Sequence, residues 1–355
     1  MKILVIQQKM IGDVLISSIL CQLLKQDQPD ATIHYLVNSN TTDVVKNNPW
    51  IDKIIEFVPE YKKSKRQFWR FTRSIRATQY DAVVDVYSKP ESNLISLLSG
   101  AKQRISYHKW YSRWIYTETH KRLSSHESKR AYYNRLKLIA PLLQQTALEP
   151  IPARIYITEQ EQVIAADFLS KQGINDQQGK PIMLNILGSH RNKSYPPAYM
   201  AELIENIASY TAAPMLMNYM PGQEKEVNAV IDLCQPQTRE RLHLKTVVPS
   251  LRSFLALLTQ CGALIGNEGG AIHMAQALNV PSFAVFSPWV PKNEWQLQLN
   301  DQHQAIHLSD INPQLFTDKS VDQLKKAVDD LYQQFEPHLF IKQLHAFLQR
   351  LSDDT

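Results

Sequence analysis

The feature that most constrains the fold is an alternation of apolar strand-like and helix-like segments that runs, stops and starts again. Strand candidates in the first half are ILVI (3–6), TIHYLV (32–37), IIEF (54–57) and AVVDVY (82–87), with helical stretches such as Val14 to Lys25 and Arg66 to Ala77 between them. Strands joined through helices pair in parallel, in a sheet covered by helices on both faces. Around 170–181 comes "SKQGINDQQGKP", polar, with two glycines and a closing proline, which reads as a linker. The alternation then resumes with PIMLNIL (181–187), PMLMNYM (214–220), LHLKTVV (242–248), ALIGN (263–267) and SFAVFS (282–287). A chain of 355 residues can hold two such units, each with its own core. Two successive doubly wound units imply a cleft between them. The tail from His338 to Leu351 has apolar residues at 339, 340, 344, 347, 348 and 351, which predicts a last amphipathic helix.

No apolar stretch reaches the length of a membrane span, and the N-terminal apolar run is too short for a secretory signal. Three scattered cysteines, Cys21, Cys234 and Cys261, read as reduced thiols of a cytoplasmic protein with no zinc site. Charge is distributed unevenly. Residues 1–150 carry 23 Lys+Arg against 13 Asp+Glu, and the remainder 16 against 21, so the first half is net +10 and the second net −5. Within the first half, "KKSKRQFWRFTRSIR" (62–76) holds seven basic residues and no acid, and residues 102–137 hold ten against Glu118 and Glu127. Such surfaces suit an anionic partner, including an anionic membrane face. The plainer alternative is a solvated basic face whose apolar stripe, Phe68, Trp69, Phe71 and Ile75, packs on the sheet. No nucleic-acid motif accompanies the basic residues, so nucleic acid is not expected as a partner.

Neither half contains GxGxxG or a Walker loop. The opening "MKILVIQQKMIGDVLISSIL" places Gly12 and Asp13 where a strand turns into a helix. A carboxylate there repels a phosphate, so Asp13 is either a helix cap or a proton acceptor. Two places in the second half suit an anionic nucleotide. In "NILGSHRNKSYPPAYMAEL" a strand runs into a loop with Gly188, Ser189, Arg191 and Lys193, before a helix near Pro197. Lys193 and the loop N–H groups can meet a phosphate, or Lys193 is simply solvated. In "ALIGNEGGAIHMAQALNVPSFAVFSPW" the Gly269-Gly270 pair leads from a strand into the helix Ala271–Leu278. Small residues at that point let a phosphate reach unpaired N–H groups at the positive end of the helix dipole. Glu268 suits a sugar hydroxyl better than a phosphate; the alternative is a carboxylate that satisfies the dipole. His273, one turn in, is by itself more readily read as a packed residue.

Together these stretches resemble the lipopolysaccharide heptosyltransferases, glycosyltransferase family 9. "MIGDVLISSIL" is similar to the family's (S/M)-(I/M)-G-D-V loop, and "GNEGGAIHMAQALNVPSFAVFSPW" to its most specific block, which runs from D-(S/T)-G-x-x-H to G-P. "GSHRNKSYP", "YDAVVDV" and "SGAKQRISY" match further family segments in order and spacing. The resemblance implies an α/β GT-B fold of two Rossmann-like domains facing a central cleft. Residues 1–172 would be the acceptor domain, 173–336 the nucleotide-sugar domain, and 337–355 a helix packing back on the first domain. It implies an inverting transfer, without metal or cofactor, of heptose from ADP-L-glycero-D-manno-heptose. The acceptor implied is a lipid-linked, anionic lipopolysaccharide core saccharide at the inner face of the cytoplasmic membrane. The enzyme would be cytoplasmic and peripheral on that membrane.

By the same resemblance Asp13 is the catalytic base. Lys193, Ser189, Glu224 (in "MPGQEKEV"), Glu268, Gly269, Gly270, Ala271 and His273 bind the donor, and Gly12, Lys102 and Arg104 bind the acceptor. An in-line displacement wants its base opposite the departing diphosphate, which agrees with placing Asp13 and the Gly269 segment on different domains. Lys193 and helix N–H groups would meet the leaving charge, and no DxD motif occurs. Three positions depart from the family. Glu268 replaces the usual aspartate, Gly269 a Ser or Thr, and "DVYSKPESN" the usual D-L-Q-G run. A related transferase with another nucleotide-sugar and another glycan acceptor therefore remains an alternative. A Rossmann-type oxidoreductase is disfavoured by the missing GxGxxG, and a non-catalytic relative by the presence of Asp13 and Lys193.

Overall fold

The computed structural model describes residues 1–123, 129–144, 149–174, 179–220, 222–243, 248–292 and 300–353. The chain divides into two units, the first Met1–Tyr156 and the second Ile157–Lys292 together with the described residues from 300 onward.

The first unit is built on a parallel sheet of β1 (Lys2–Gln7), β2 (Thr32–Asn38), β3 (Lys53–Phe57), β4 (Ala82–Asp85), β5 (Gln103–Tyr107) and β6 (Glu118–His120), in the order β3-β2-β1-β4-β5-β6. Ile3–Ile6 and Ala82–Val84 are fully buried, as expected of central parallel strands covered on both faces. The order reverses between β1 and β4, whose register pairs Ile3 with Ala82 and Ile6 with Asp85. β5 and β6 were not among the expected strands, because "QRISY" and "ETH" carry too much polarity to stand out. The expected helices form as Ile11–Asp27 and Lys65–Ala77. The latter starts at Ser64, whose side chain accepts from the Gln67 N–H, and buries Phe71 and Ile75 against Leu4, Phe57 and Val83. Phe68 is half-buried on the same core, while Trp69 leaves the anticipated stripe and faces solvent.

The second unit repeats the plan with β7 (Ile182–Asn185), β8 (Met215–Asn218), β9 (Leu242–His243), β10 (Ala263–Asn267), β11 (Ser282–Val285) and β12 (His303–Ile306), in the order β12-β11-β10-β7-β8-β9. Of the expected strand at 242–248, residues 244–247 lie outside the described residues. The division between units falls at Tyr156/Ile157, ahead of the expected 172/173. The cause is the helix Glu159–Lys171, opened by a Thr158–Glu161 capping box, which packs on Leu251–Thr259 and is tied to it by Arg252 Nε to Glu161 Oε1 at 2.6 Å. The start of the supposed linker is thus the end of this helix, and 175–178 lie outside the described residues. The tail forms the helix Ile341–Asp353. Its apolar residues Leu344, Phe347 and Leu348 join Phe340 and Phe283 in the core of the second unit, where the expectation had it pack back on the first. All three cysteines are free and buried.

Candidate active site

In the second unit the strand order reverses between β7 and β10, the place where open α/β sheets bind ligands. Two asparagines fasten the carboxyl ends of these strands. Asn185 Nδ2 donates to Asn267 O at 2.7 Å, and Asn267 Nδ2 donates to Ile186 O at 2.6 Å. Asn267 Oδ1 accepts from the Tyr195 N–H at 2.7 Å, which fixes the start of the following helix. Gly188 permits the loop to fold over β7, since a Cβ there would lie 2.2 Å from Lys193 O. Ser287 Oγ and Trp289 Nε1 both donate to Asn192 O at 2.8 Å. Lys193 is therefore delivered by a braced loop.

The Lys193 ammonium lies 3.0 Å from Glu268 Oε1. This is an ion pair without the alignment of a hydrogen bond, because the same buried oxygen has no hydrogen-bond partner. Lys193 Nζ also stands 5.2 Å from the Trp289 ring centre, and Lys325 Nζ stands 5.1 Å from it. Two cations share one indole, each favoured by the ring quadrupole. After Glu268 comes Gly269, at φ +152° and ψ −162°, a backbone conformation essentially reserved for glycine. It caps the helix Gly270–Ala277 without any side-chain cap. A Cβ at Gly269 or Gly270 would meet nothing within 4 Å. The helix thus starts with N–H groups that have no hydrogen-bond partner among the described residues, beside a lysine, which is an anion cradle.

The structure therefore brings together Lys193, Glu268, Gly269, Gly270 and Ala271. His273 is half-buried one turn into the helix. Ser189 is exposed on the Lys193 loop. Glu224 begins the helix after β8; its carboxylate accepts from the Gly222 N–H at 3.1 Å, and backbone N–H groups hold it below the usual carboxylate range. Among the described residues no hydrogen bond joins Ser189 or Glu224 to the Lys193–Glu268 pair.

In the first unit Asp13 lies in the opening turn of its helix, with Gly12 half-buried beside it. The helix cap is Met10, and no side chain caps it, so the capping role does not hold. Instead Asp13 Oδ1 takes Arg135 Nη2 at 2.8 Å and Lys9 Nζ at 3.2 Å. Oδ2 takes no hydrogen bond among the described residues. Arg135 is itself buried and fixed, donating through Nε to Ser17 Oγ at 2.8 Å and through Nη1 to Ala131 O. Ser17 Oγ in turn accepts from Gln7 Nε2 at 3.1 Å. At the neighbouring end of β4, Asp85 accepts from the Ser88 N–H at 2.7 Å and the Tyr116 hydroxyl at 2.6 Å, yet its burial pushes the carboxyl above its ordinary range. The Gln8 side-chain amide and the Ser88 hydroxyl are buried there with no hydrogen-bond partner among the described residues.

Lys102 and Arg104 are not part of this constellation. They flank the start of β5, level with Asp81 and Val83, whereas Asp13 follows the carboxyl end of β1. Lys102 is exposed, and Arg104 is engaged structurally, donating through Nε to Ile115 O at 2.8 Å and through Nη1 to Ala101 O at 2.5 Å. Parallel sheets bind ligands at the opposite edge. Four residues were not anticipated from sequence. In the sequence Arg135 reads as part of a basic surface and Asn185 as a strand end, while Asn267 and Trp289 lie inside the family-like block 266–289 without a role of their own.

The pattern of glycosyltransferase family 9 (heptosyltransferase) matches residues 68–326. Lipopolysaccharide heptosyltransferase 1 of Campylobacter coli is 24% identical over 295 residues, covering 81% of this chain and 84% of the relative. Lipopolysaccharide heptosyltransferase 3 of Escherichia coli is 22% identical over 290 residues, covering 78% and 80%. Among solved structures, a glycosyl transferase of family 9 from Veillonella parvula aligns with TM-score 0.75 at 18% identity, over 94% of this chain and 97% of that one. The E. coli ADP-heptose lipopolysaccharide heptosyltransferase II aligns with TM-score 0.69 at 17% identity, over 94% and 99%. At these identities the structures speak for the fold, which is the α/β GT-B class expected from the sequence. The family match covers most of the chain: this protein belongs to glycosyltransferase family 9, the heptosyltransferases, and is a glycosyltransferase.

Proposed function

We propose that the protein is an inverting, metal-independent transferase that moves heptose from ADP-L-glycero-D-manno-heptose to a lipid-linked, anionic core saccharide at the inner face of the cytoplasmic membrane. Family membership supports heptose transfer in lipopolysaccharide assembly, and a structural neighbour is named for ADP-heptose. The observation that carries the donor site is the Lys193–Glu268 pair beside the uncapped Gly269–Gly270 turn. An incoming diphosphate takes the Lys193 ammonium and the helix N–H groups, and Glu268 is released to accept from donor-sugar hydroxyls.

In the transfer, the acceptor hydroxyl oxygen forms a bond to the anomeric carbon from the face opposite the diphosphate. The carbon–phosphate oxygen bond breaks, and the nucleoside diphosphate leaves with that electron pair. The hydroxyl proton goes to Asp13 Oδ2, the oxygen left open while Arg135 and Lys9 hold Oδ1. Lys193 and the helix N-terminus meet the charge that develops on the leaving group.

The test is a thermal-shift and transfer screen against ADP-, UDP- and GDP-sugars. A ligand at 100 times its Kd raises stability by about 2.7 kcal/mol, so the preferred base and sugar stand out. ADP-heptose should both stabilise and transfer. Response to uridine or guanosine sugars alone would replace the ADP-heptose donor by the second reading, which the longer arm of Glu268 favours.

A further inference from the structure

The turn after β5 does the opposite of what a solvated loop does. Trp110 is 83% exposed, Trp114 68% and Tyr111 46%. Soluble surfaces rarely gather large aromatic side chains in this way unless something covers them. The turn is rigidly built. The Ser112 and Arg113 N–H groups both donate to Lys109 O, and the Ile115 N–H to Ser112 O at 3.0 Å. Ile115 and Tyr116 anchor it in the core, the latter through its hydroxyl to Asp85, and Lys109 Nζ ties it to Ser88 O. The three aromatics are therefore held outward by a fixed frame.

The polar edges of these rings are suited to an interface. Trp114 Nε1 donates to Tyr111 O at 3.1 Å, so its indole N–H is already satisfied when the ring leaves water. The surroundings are cationic. Arg113, Lys121 and Arg122 are exposed, and β6 is held beside the turn by the His108 N–H donating to His120 O at 2.8 Å. Glu118, with its Oε1 2.9 Å from His120 Nε2, is the sole acid in 108–122. The helix Lys65–Ala77, with exposed Trp69, packs on Pro90–Leu98, which packs on the 113–115 turn. Among the described residues no helix is long and apolar enough to cross a membrane.

We propose that the Lys109–Trp114 turn seats the protein on an anionic lipid bilayer, with Trp110, Tyr111 and Trp114 in the headgroup layer and Arg113, Lys121 and Arg122 on lipid phosphates. Aromatic rings with one wet edge settle at that depth, and each basic side chain at an anionic surface strengthens binding about fivefold. The turn and the Lys121–Arg122 segment follow the carboxyl ends of β5 and β6, the sheet edge that also carries Asp13. Docking there brings a lipid-linked acceptor to the edge where its hydroxyl is needed. This deepens the proposed function, resting on its lipid-linked acceptor.

The test uses the full chain and substrate-free vesicles, so its failure leaves sugar transfer standing. Wild type should sediment with phosphatidylglycerol vesicles and not with phosphatidylcholine vesicles, release as salt rises, and lose tryptophan emission to brominated lipid. W110A/W114A should lower the partition at least ~10-fold and remove most of the quenching, with unchanged thermal unfolding and unchanged transfer to a deacylated acceptor. Arg113→Ser with Lys121→Ser should weaken binding to the anionic vesicles with the folded state again intact. Absence of wild-type binding, or equal binding by W110A/W114A, overturns the proposal. So does protection of the indoles by the deacylated saccharide in the absence of vesicles, since the turn would then be a sugar platform.

Discussion

Replacing Gly270 by alanine separates folding from donor binding at a single atom. Gly270 opens its helix with no positive φ, and a Cβ there meets no heavy atom within 4 Å. The protein therefore tolerates the methyl, and helix propensity favours Ala over Gly by up to about 1 kcal/mol, less at a first-turn position. The Cβ bond tilts toward the helix N-terminus, into the open space in front of the free N–H groups. A diphosphate pushed back by that methyl loses or lengthens one hydrogen bond to a charged oxygen, worth about 1.5–3 kcal/mol. That corresponds to roughly 10- to 150-fold in Kd. Calorimetric titration with ADP, alongside urea denaturation, should show weaker binding with stability unchanged or slightly raised. ADP bound as tightly as by wild type would refute the placing of phosphate at this helix end.

Arg135→Met should destabilise the first unit by about 2–3 kcal/mol. Breaking a buried ion pair costs about 3–5 kcal/mol, and Lys9 offsets part of it. Adding Asp13→Asn should recover some of the loss, and a denaturation cycle with a coupling under about 0.5 kcal/mol would deny the pairing. Trp289→Leu should weaken ADP binding about five-fold by removing the ring that orders Lys193 and Lys325, while Trp289→Phe keeps most of it; equal titrations for both variants would contradict that role. His307 is buried as the neutral imidazole, Nδ1 accepting from the Ser309 N–H at 3.0 Å and Nε2 facing Pro288 O at 3.2 Å. Burial pushes its pKa from 6.5 to about 4, so the unfolded chain binds more protons between those values and stability falls as pH drops from 6.5 to 4. The full loss is about 3 kcal/mol. Urea midpoints measured across that range should depend less steeply on pH in His307→Asn, whose side-chain oxygen can still accept from the Ser309 N–H, with His34, His243 and His303, also lowered by burial, keeping a residual slope.

The two parallel sheets were legible because buried central strands such as ILVI and ALIGN are apolar runs that solvent-facing segments do not produce. β6 and β12 lie at sheet edges and carry polar residues, so apolarity did not mark them. The tail helix was legible from its spacing, but periodicity says only that a face is buried, not on which core. Lys193 and Glu268 were each visible as candidates, whereas their contact depends on how a loop folds over β7, which Gly188 permits and no local pattern announces. Arg135 illustrates the limit of charge counting: in the sequence it adds to a basic stretch, and in the fold it is a buried partner of Asp13. Lys102 and Arg104 matched a family segment in order, but strand direction puts them at the far edge of the sheet.

The central claim is that Asp13 accepts the acceptor's proton. Single-turnover transfer by Asp13→Asn, with donor Kd measured on the same preparation, tests it most directly. Asparagine retains the shape and a hydrogen bond toward Lys9 through its carbonyl oxygen but cannot take the proton. The chemical step should fall at least ~100-fold while donor Kd stays within about two-fold. Transfer at close to the wild-type rate would contradict the account.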